Sequence, residues 1–162
     1  MTAEGDDLPN PGRVVRYVPY GRMRKDEDDN FLGPYPNAFE VGSGHDYLSV
    51  TWCEYFVGSP DEQLRCSVEA LRASALNVKS KACFCIADIP SLLATVWNFG
   101  RAARAVYYPE DDNPAHAGVF GIAPDDAQLL ERLASEVWSS YLTKDTADAL
   151  PTSACTKSDE ID

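Results

Sequence analysis

The apolar and polar positions mark out a series of short elements. Arg13-Val14-Val15-Arg16-Tyr17-Val18 is β-branched and aromatic and stops at Pro19, which predicts a first strand. Tyr20 to Ala38 follows as a long irregular stretch, broken by Gly21, Gly33, Pro34 and Pro36 and by the charge run Lys25-Asp26-Glu27-Asp28-Asp29. Phe39-Glu40-Val41 and Tyr47-Leu48-Ser49-Val50-Thr51-Trp52 both alternate. With the turn Gly42 to Asp46 between them, they predict a hairpin. Ser59-Pro60-Asp61-Glu62 has the form of a capping box, and Leu64, Val68, Leu71 and Ala75 continue it as one apolar helical stripe.

Lys81 to Ala87 is apolar between charged ends, as in a strand buried on both faces, and a shorter helix runs from Ser91 to about Asn98 with Gly100 as its stop. Two further strands, Ala105 to Tyr108 and Ala117 to Ile122, flank the loop Pro109 to His116. A last amphipathic helix starts after Pro124 and places Leu130, Leu133, Ala134, Val137, Trp138 and Tyr141 on one side. Several of the β connections are too short for parallel crossovers. The expected fold is therefore α+β: a single domain over residues 13–142, with a mixed or mainly antiparallel sheet packed with two or three helices. A doubly wound parallel fold is the alternative, and it lacks a glycine-rich phosphate loop after any strand. Residues 1–12 read as a disordered lead-in and 143–162 as a disordered acidic tail, because neither has apolar periodicity.

Composition narrows the functional classes. The 162 residues carry 14 Lys and Arg against 26 Asp and Glu, a net charge of −12, which argues against direct nucleic-acid binding. Residues 31–142 alone account for −7, so the acidity belongs mostly to the folded body. No apolar run is long enough to span a bilayer, and the first residues are acidic where a signal peptide is basic. The five cysteines are odd in number and include no C-x-x-C pair, so the expectation is reduced thiols in a cytoplasmic protein. On this reading Cys83 and Cys85 are buried and inert, and Cys155 is exposed in the tail. No metal site and no cofactor are expected. The acidic runs lack the alternating Asp/Asn and Gly spacing of a calcium loop, and no second Cys pair completes a zinc pattern.

Candidate chemistry centres on the two histidines. His45 and His116 both lie in turn-like segments beside carboxylates, where an imidazole can serve as acid or base near neutral pH. His116, His45 and Asp46 are the catalytic candidates. The segments His45-Asp46-Tyr47 and His116-Ala117-Gly118 lack the hydroxyl residue of the His-x-Ser/Thr motif found in two-histidine phosphodiesterases. Some ADP-ribosyltransferases combine an Arg on an early strand, a Ser-x-Ser/Thr strand motif and a later Glu. Arg16, Ser49-Val50-Thr51 and Glu110 fall in that order, although each element is common. A nucleophilic Cys53 would need a cationic neighbour that the local sequence does not supply. As binding residues, Asn113 stands in a stiff Asn-Pro turn. Trp52 and Tyr55 sit where the alternation is lost, so that either ring could anchor a partner, and Glu110, Asp111 and Asp112 form an acidic patch.

Tyr47 to Phe56, Ala82 to Ile89 and Asn113 to Ala117 together resemble a family of small uncharacterised bacterial proteins with Leu-Ser-Val-x-Trp-x-Glu-Tyr-Phe and Asn-Pro-x-His-Ala segments, over residues 13–142. No activity is assigned to that family. The resemblance implies a bacterial or phage source and marks Asn113 and His116. The favoured expectation is an acidic interaction or regulatory subunit that steers a partner with a basic surface, as in a bacterial or phage defence or toxin system. The alternative is a small enzyme using His116, with His45 and a carboxylate, in hydrolysis or ADP-ribosyl transfer. The arginine-rich segment 13–25 is the local exception to the acidity.

Overall fold

The computed structural model describes all 162 residues. β1 (Arg13–Val18) forms where the alternation predicts it, and Tyr20–Arg22 then turn once as a 3-10 helix. The stretch expected to be an irregular loop holds a small hairpin, β2 (Met23–Lys25) with β3 (Phe31–Pro34). Its acidic run makes the turn. The Asp26 carboxylate accepts from the backbone N–H groups of Asp28 and Asn30, and Asp29 takes the left-handed conformation at φ 66°.

The expected pairing of residues 39–41 with 47–52 does not occur. Pro36, which has no N–H to give a ladder, opens a 3-10 turn over Pro36–Phe39. The Phe39 ring is buried there, stacked on Trp138 at 5.1 Å. β4 (Tyr47–Trp52) pairs instead with strands distant in sequence. α1 (Pro60–Ala73) starts on the capping box the sequence spells. The Ser59 hydroxyl accepts from the Glu62 N–H, and the Glu62 carboxylate accepts from the Ser59 N–H.

β5 (Cys83–Asp88) leads directly into α2 (Ile89–Asn98). β6 (Arg104–Tyr107) and β7 (His116–Phe120) pair across the loop between them. α3 (Ala127–Arg132) runs into a wider π turn over Leu133–Val137. The predicted helix therefore ends before Tyr141, which joins β8 (Ser140–Leu142) opposite Cys85. α4 (Lys144–Asp148) is the last helix of the chain.

The fold is α+β: one domain with a six-stranded, wholly antiparallel sheet ordered β6-β7-β4-β1-β5-β8, plus the β2–β3 hairpin. Alternation along the strands sorts the side chains onto two faces. Val14, Val18, Leu48, Val50, Trp52, Cys83, Cys85, Ala117 and Val119 point into the larger core, against α2, α3 and the Phe39 turn. Val15 and Phe84 point the other way, into a smaller cluster closed by Leu64, Val68 and Leu71 of α1 and by Ala147 of α4.

Both termini depart from expectation. Residues 1–12, read as disordered, run along the open edge of β6. The Gly5 N–H donates to the Tyr107 carbonyl, the Leu8 N–H donates to Ala105, and the Leu8 side chain is buried. An edge strand exposes unpaired backbone groups, and this segment satisfies them. Residues 143–162, read as a disordered tail, are docked as well. A Thr143 capping box starts α4, Asp148 bonds Arg72 of α1, and Ile161 is buried. The Val57 and Ser158 N–H groups pair the tail with residues 55–57. These contacts use backbone groups and isolated side chains, which leave no periodic signal.

The reduced-thiol expectation is also corrected. Cys66 in α1 is joined to Cys155 by a disulfide, with the two Cα atoms 5.4 Å apart. Such bonds are rare in a reducing cytoplasm, so this one sits poorly with the cytoplasmic expectation. Cys53, Cys83 and Cys85 are free and buried. Burial pushes the Cys53 thiol up to about 12, so it is not the activated nucleophile that the sequence could have allowed. No helix is long and apolar enough to cross a membrane.

Candidate functional site

The ladder between β1 and β4 covers only two residue pairs, Val14 with Trp52 and Val15 with Thr51. Beyond them the strands part, and the Arg16 guanidinium spans the gap. Its Nη1–H donates to the Ser49 carbonyl at 2.8 Å and its Nε–H to the Ala38 carbonyl at 2.7 Å. A cavity of about 400 Å³ opens over this split. Its walls are β1 and the turn after it (Arg16, Tyr17, Arg22), β4 (Ser49 to Thr51), Leu71 near the end of α1 with Ser74 to Leu76 just after it, and the β6–β7 loop with Glu110, Asn113 and His116. A hollow of about 280 Å³ adjoins it, sharing Arg16, Arg22, Ser49 and Glu110 and adding His45, Tyr47 and Glu40.

His116 opens β7 directly across from Thr51, and its side chain is only 3% exposed. Nδ1 lies 2.6 Å from the Tyr108 carbonyl, which can only accept, so Nδ1 carries the proton. In the neutral ring Nε2 is then a free acceptor. It lies 2.5 Å from Oγ of Ser49, whose hydroxyl donates to it. The Glu110 carboxylate stands 3.3 Å from the same nitrogen, placed to stabilise an imidazolium. A backbone carbonyl orienting a histidine, a hydroxyl on its other nitrogen and a carboxylate nearby constitute the acid–base and nucleophile geometry of a serine–histidine pair.

The loop that carries His116 is fixed at both ends. Asn113 is buried, its Nδ2–H donates to Thr51 Oγ1 at 2.9 Å, and its Oδ1 accepts from the Ala115 N–H at 3.2 Å. Asp112 accepts from the Ala75 N–H at 2.6 Å, tying the loop to the end of α1. Gly118 lets the Tyr47 ring lie flat against β7, because a Cβ there would meet the ring at 2.9 Å. The Tyr47 ring sits between the two histidines, with ring centres 5.8 Å from His116 and 6.3 Å from His45.

The structure thus gathers His116, Glu110, Asp112 and Asn113 in the cavity and His45 in the adjoining hollow. It also brings together Arg16, Ser49 and Glu110, the residues of the ADP-ribosyltransferase-like order. Asp46 is exposed and lines neither space, and Asp111 is an exposed loop residue outside both. Trp52 and Tyr55 are buried, 2% and 7% exposed, and pack on Tyr107, so neither ring is presented to a partner as the sequence reading had it. Sequence reasoning missed Arg22, the end of α1 and the Tyr108 carbonyl. Only the unexplained arginines of segment 13–25 offered a signal for any of these.

No group of three His, Cys, Asp or Glu side chains is placed to hold a metal ion. Compared with known protein families, characterised proteins and solved structures, the chain matches none.

Proposed function

We propose that this protein is a small enzyme, a hydrolase or group transferase, that works through Ser49 and His116. The observation that carries this reading is the 2.5 Å contact between Ser49 Oγ and His116 Nε2 at the wall of an open cavity, with the tautomer set by Tyr108. Ser49 Oγ attacks an electrophilic centre held in the cavity while Nε2 takes its proton. The resulting imidazolium is stabilised by Glu110 and returns that proton to the leaving group as its bond to the centre breaks. Water then attacks the Ser49 adduct, with Nε2 as base again, and restores the hydroxyl.

A fluorophosphonate probe with peptide mass analysis tests this. The expected result is an adduct on Ser49, with labelling slowed about 100-fold or more in His116→Gln, the span of general-base assistance. A folded wild-type protein that carries no adduct on Ser49, or one labelled equally fast in His116→Gln, overturns the reading.

The acidic-partner reading keeps separate support. Most of the 26 acidic side chains make no ion pair within the chain, which leaves an exterior able to steer a basic partner. Its mark is association that weakens steeply as salt rises; association insensitive to salt counts against it.

A further inference from the structure

We propose that Arg16 and Arg22 form the anion-receiving end of the cleft and that the ligand they take is a phosphate ester. The inference deepens the enzyme reading by naming its substrate class. It rests first on their partners: in a chain of net charge −12, neither guanidinium has a carboxylate within ion-pair distance, a state they share with Arg24 and Arg101, whereas Arg13, Arg65, Arg72, Arg104 and Arg132 each have at least one. Of the four unpaired arginines, only Arg16 and Arg22 line the cavity. The partners of Arg16 and Arg22 are backbone carbonyls. Arg16 donates to Ala38 and Ser49, and Arg22 donates through Nη1 to Asn37 at 3.1 Å. A guanidinium has five N–H donors, so most of those on this pair remain unused while their carbonyl bonds hold the planes in place.

Position is the second ground. Both arginines line both the 400 Å³ cavity and the adjoining hollow, beside Ser49. His116 stands on the loop side of the cavity and does not line the hollow, whereas both arginines line both spaces, so the arginines extend beyond the Ser49–His116 pair; Glu110 lines both spaces as well. A ligand with an anionic end and a reactive centre fits that arrangement. Two guanidiniums from different elements suit a phosphate, whose several oxygens accept from two planar forks at once, better than a single carboxylate. Burial and the neighbouring charge of Arg22 hold Arg16 below its ordinary value, to about 10, a strain that a bound anion relieves. The cavity is larger than inorganic phosphate needs and falls within the range of small-molecule sites, so the phosphate is one end of a larger molecule.

Calorimetric titration of the full chain with phenyl phosphate, and with benzoate as the carboxylate arm, tests the proposal. Arg22 is exposed, so Arg22→Gln is the variant least able to disturb folding; Arg16→Lys, which keeps the charge but loses the planar fork, is the second. The expected result is saturable binding of phenyl phosphate at millimolar concentration or below, weakened about tenfold or more in Arg22→Gln, the loss expected for one charge-assisted contact. Benzoate binds more weakly, and Arg16→Lys weakens phosphate binding as well. No binding of phenyl phosphate, equal binding of benzoate, or binding unchanged in both variants overturns the proposal. Repeating the titration on Ser49→Ala separates the two claims. Phosphate bound by that variant upholds the anion site even where probe labelling fails, and labelling of the wild type without phosphate binding defeats the anion site alone.

Discussion

On one face of the sheet, α2, α3 and the Phe39 turn close over Leu48, Val50, Trp52, Ala117 and Val119 and leave no polar side chain of β4 among them. On the other face, α1 and α4 close over Val15 and Phe84 and stop, leaving Tyr47, Ser49, Thr51 and His116 of β4 and β7 under a loop and a cavity. The same two strands therefore serve both sides, since alternation sends every second residue to each. The sealed face has many interchangeable apolar contacts. The open face depends on a few directional ones, namely Asn113 to Thr51, Asp112 to Ala75, and His116 to Tyr108 and Ser49. Stability should therefore be concentrated on one face and chemistry on the other.

The largest test of that division is Trp138→Ala. Trp138 is fully buried and stacked on Phe39, so its removal leaves a cavity in the sealed face and should cost about 3–5 kcal/mol in urea unfolding. A loss under about 1 kcal/mol would mean that this face does not dominate stability. Asn113→Ala comes next. It strips a partner from buried Thr51 and from the Ala115 N–H, an expected loss of about 1–3 kcal/mol. Because the same loop carries Glu110 and His116, labelling of Ser49 should slow in that variant, whereas Trp138→Ala, where it still folds, should leave labelling much closer to wild type.

Gly118→Ala is a smaller perturbation. Its methyl group meets the Tyr47 ring at 2.9 Å, and that ring is only half-buried and can swing outward. The expected destabilisation is about 1 kcal/mol, at the low end for overpacking. The displaced ring should show as a shift in the His45 and His116 imidazole resonances, and unchanged resonances in both would remove Tyr47 from the site.

What could be read beforehand follows the range of the interactions. β1, α1 with its capping box, β5, and the β6–β7 pair are written in short-range pattern, and all form close to where the residues put them. β4 was legible as a strand, but its neighbours were not. Its partners β1 and β7 are remote in sequence, while the nearby Phe39 is drawn to Trp138 instead. Tyr141 matches the helical stripe as well as it matches a strand, and pairing with Cys85 decides the matter. In the site, His116, Asn113 and Glu110 stood out by residue type and turn chemistry. Ser49 and Arg16 surfaced only in a loosely spaced triad. The cleft that joins them comes from strands parting after two residue pairs, which no local pattern encodes.

The smallest expected effect lies at the rim of the open face, where Asp148 clasps α4 to α1. Its carboxylate accepts from Lys144 Nζ at 2.9 Å and from Arg72 Nη1 at 2.8 Å, and these bonds hold it well below the usual carboxylate range, at about 2. A carboxyl depressed on folding contributes stability that is present above its unfolded value, near 4 for a free Asp, and lost as pH falls through the folded one. Asp148→Asn should therefore unfold slightly more easily than wild type at pH 7, and the gap should close as pH falls from about 4 toward about 2. Because the group is solvent-exposed, added salt should also narrow the gap. A difference that persists unchanged to the acid end would mean that Asp148 acts through the shape of its contacts, and that charge does not hold this edge of the α1–α4 cover.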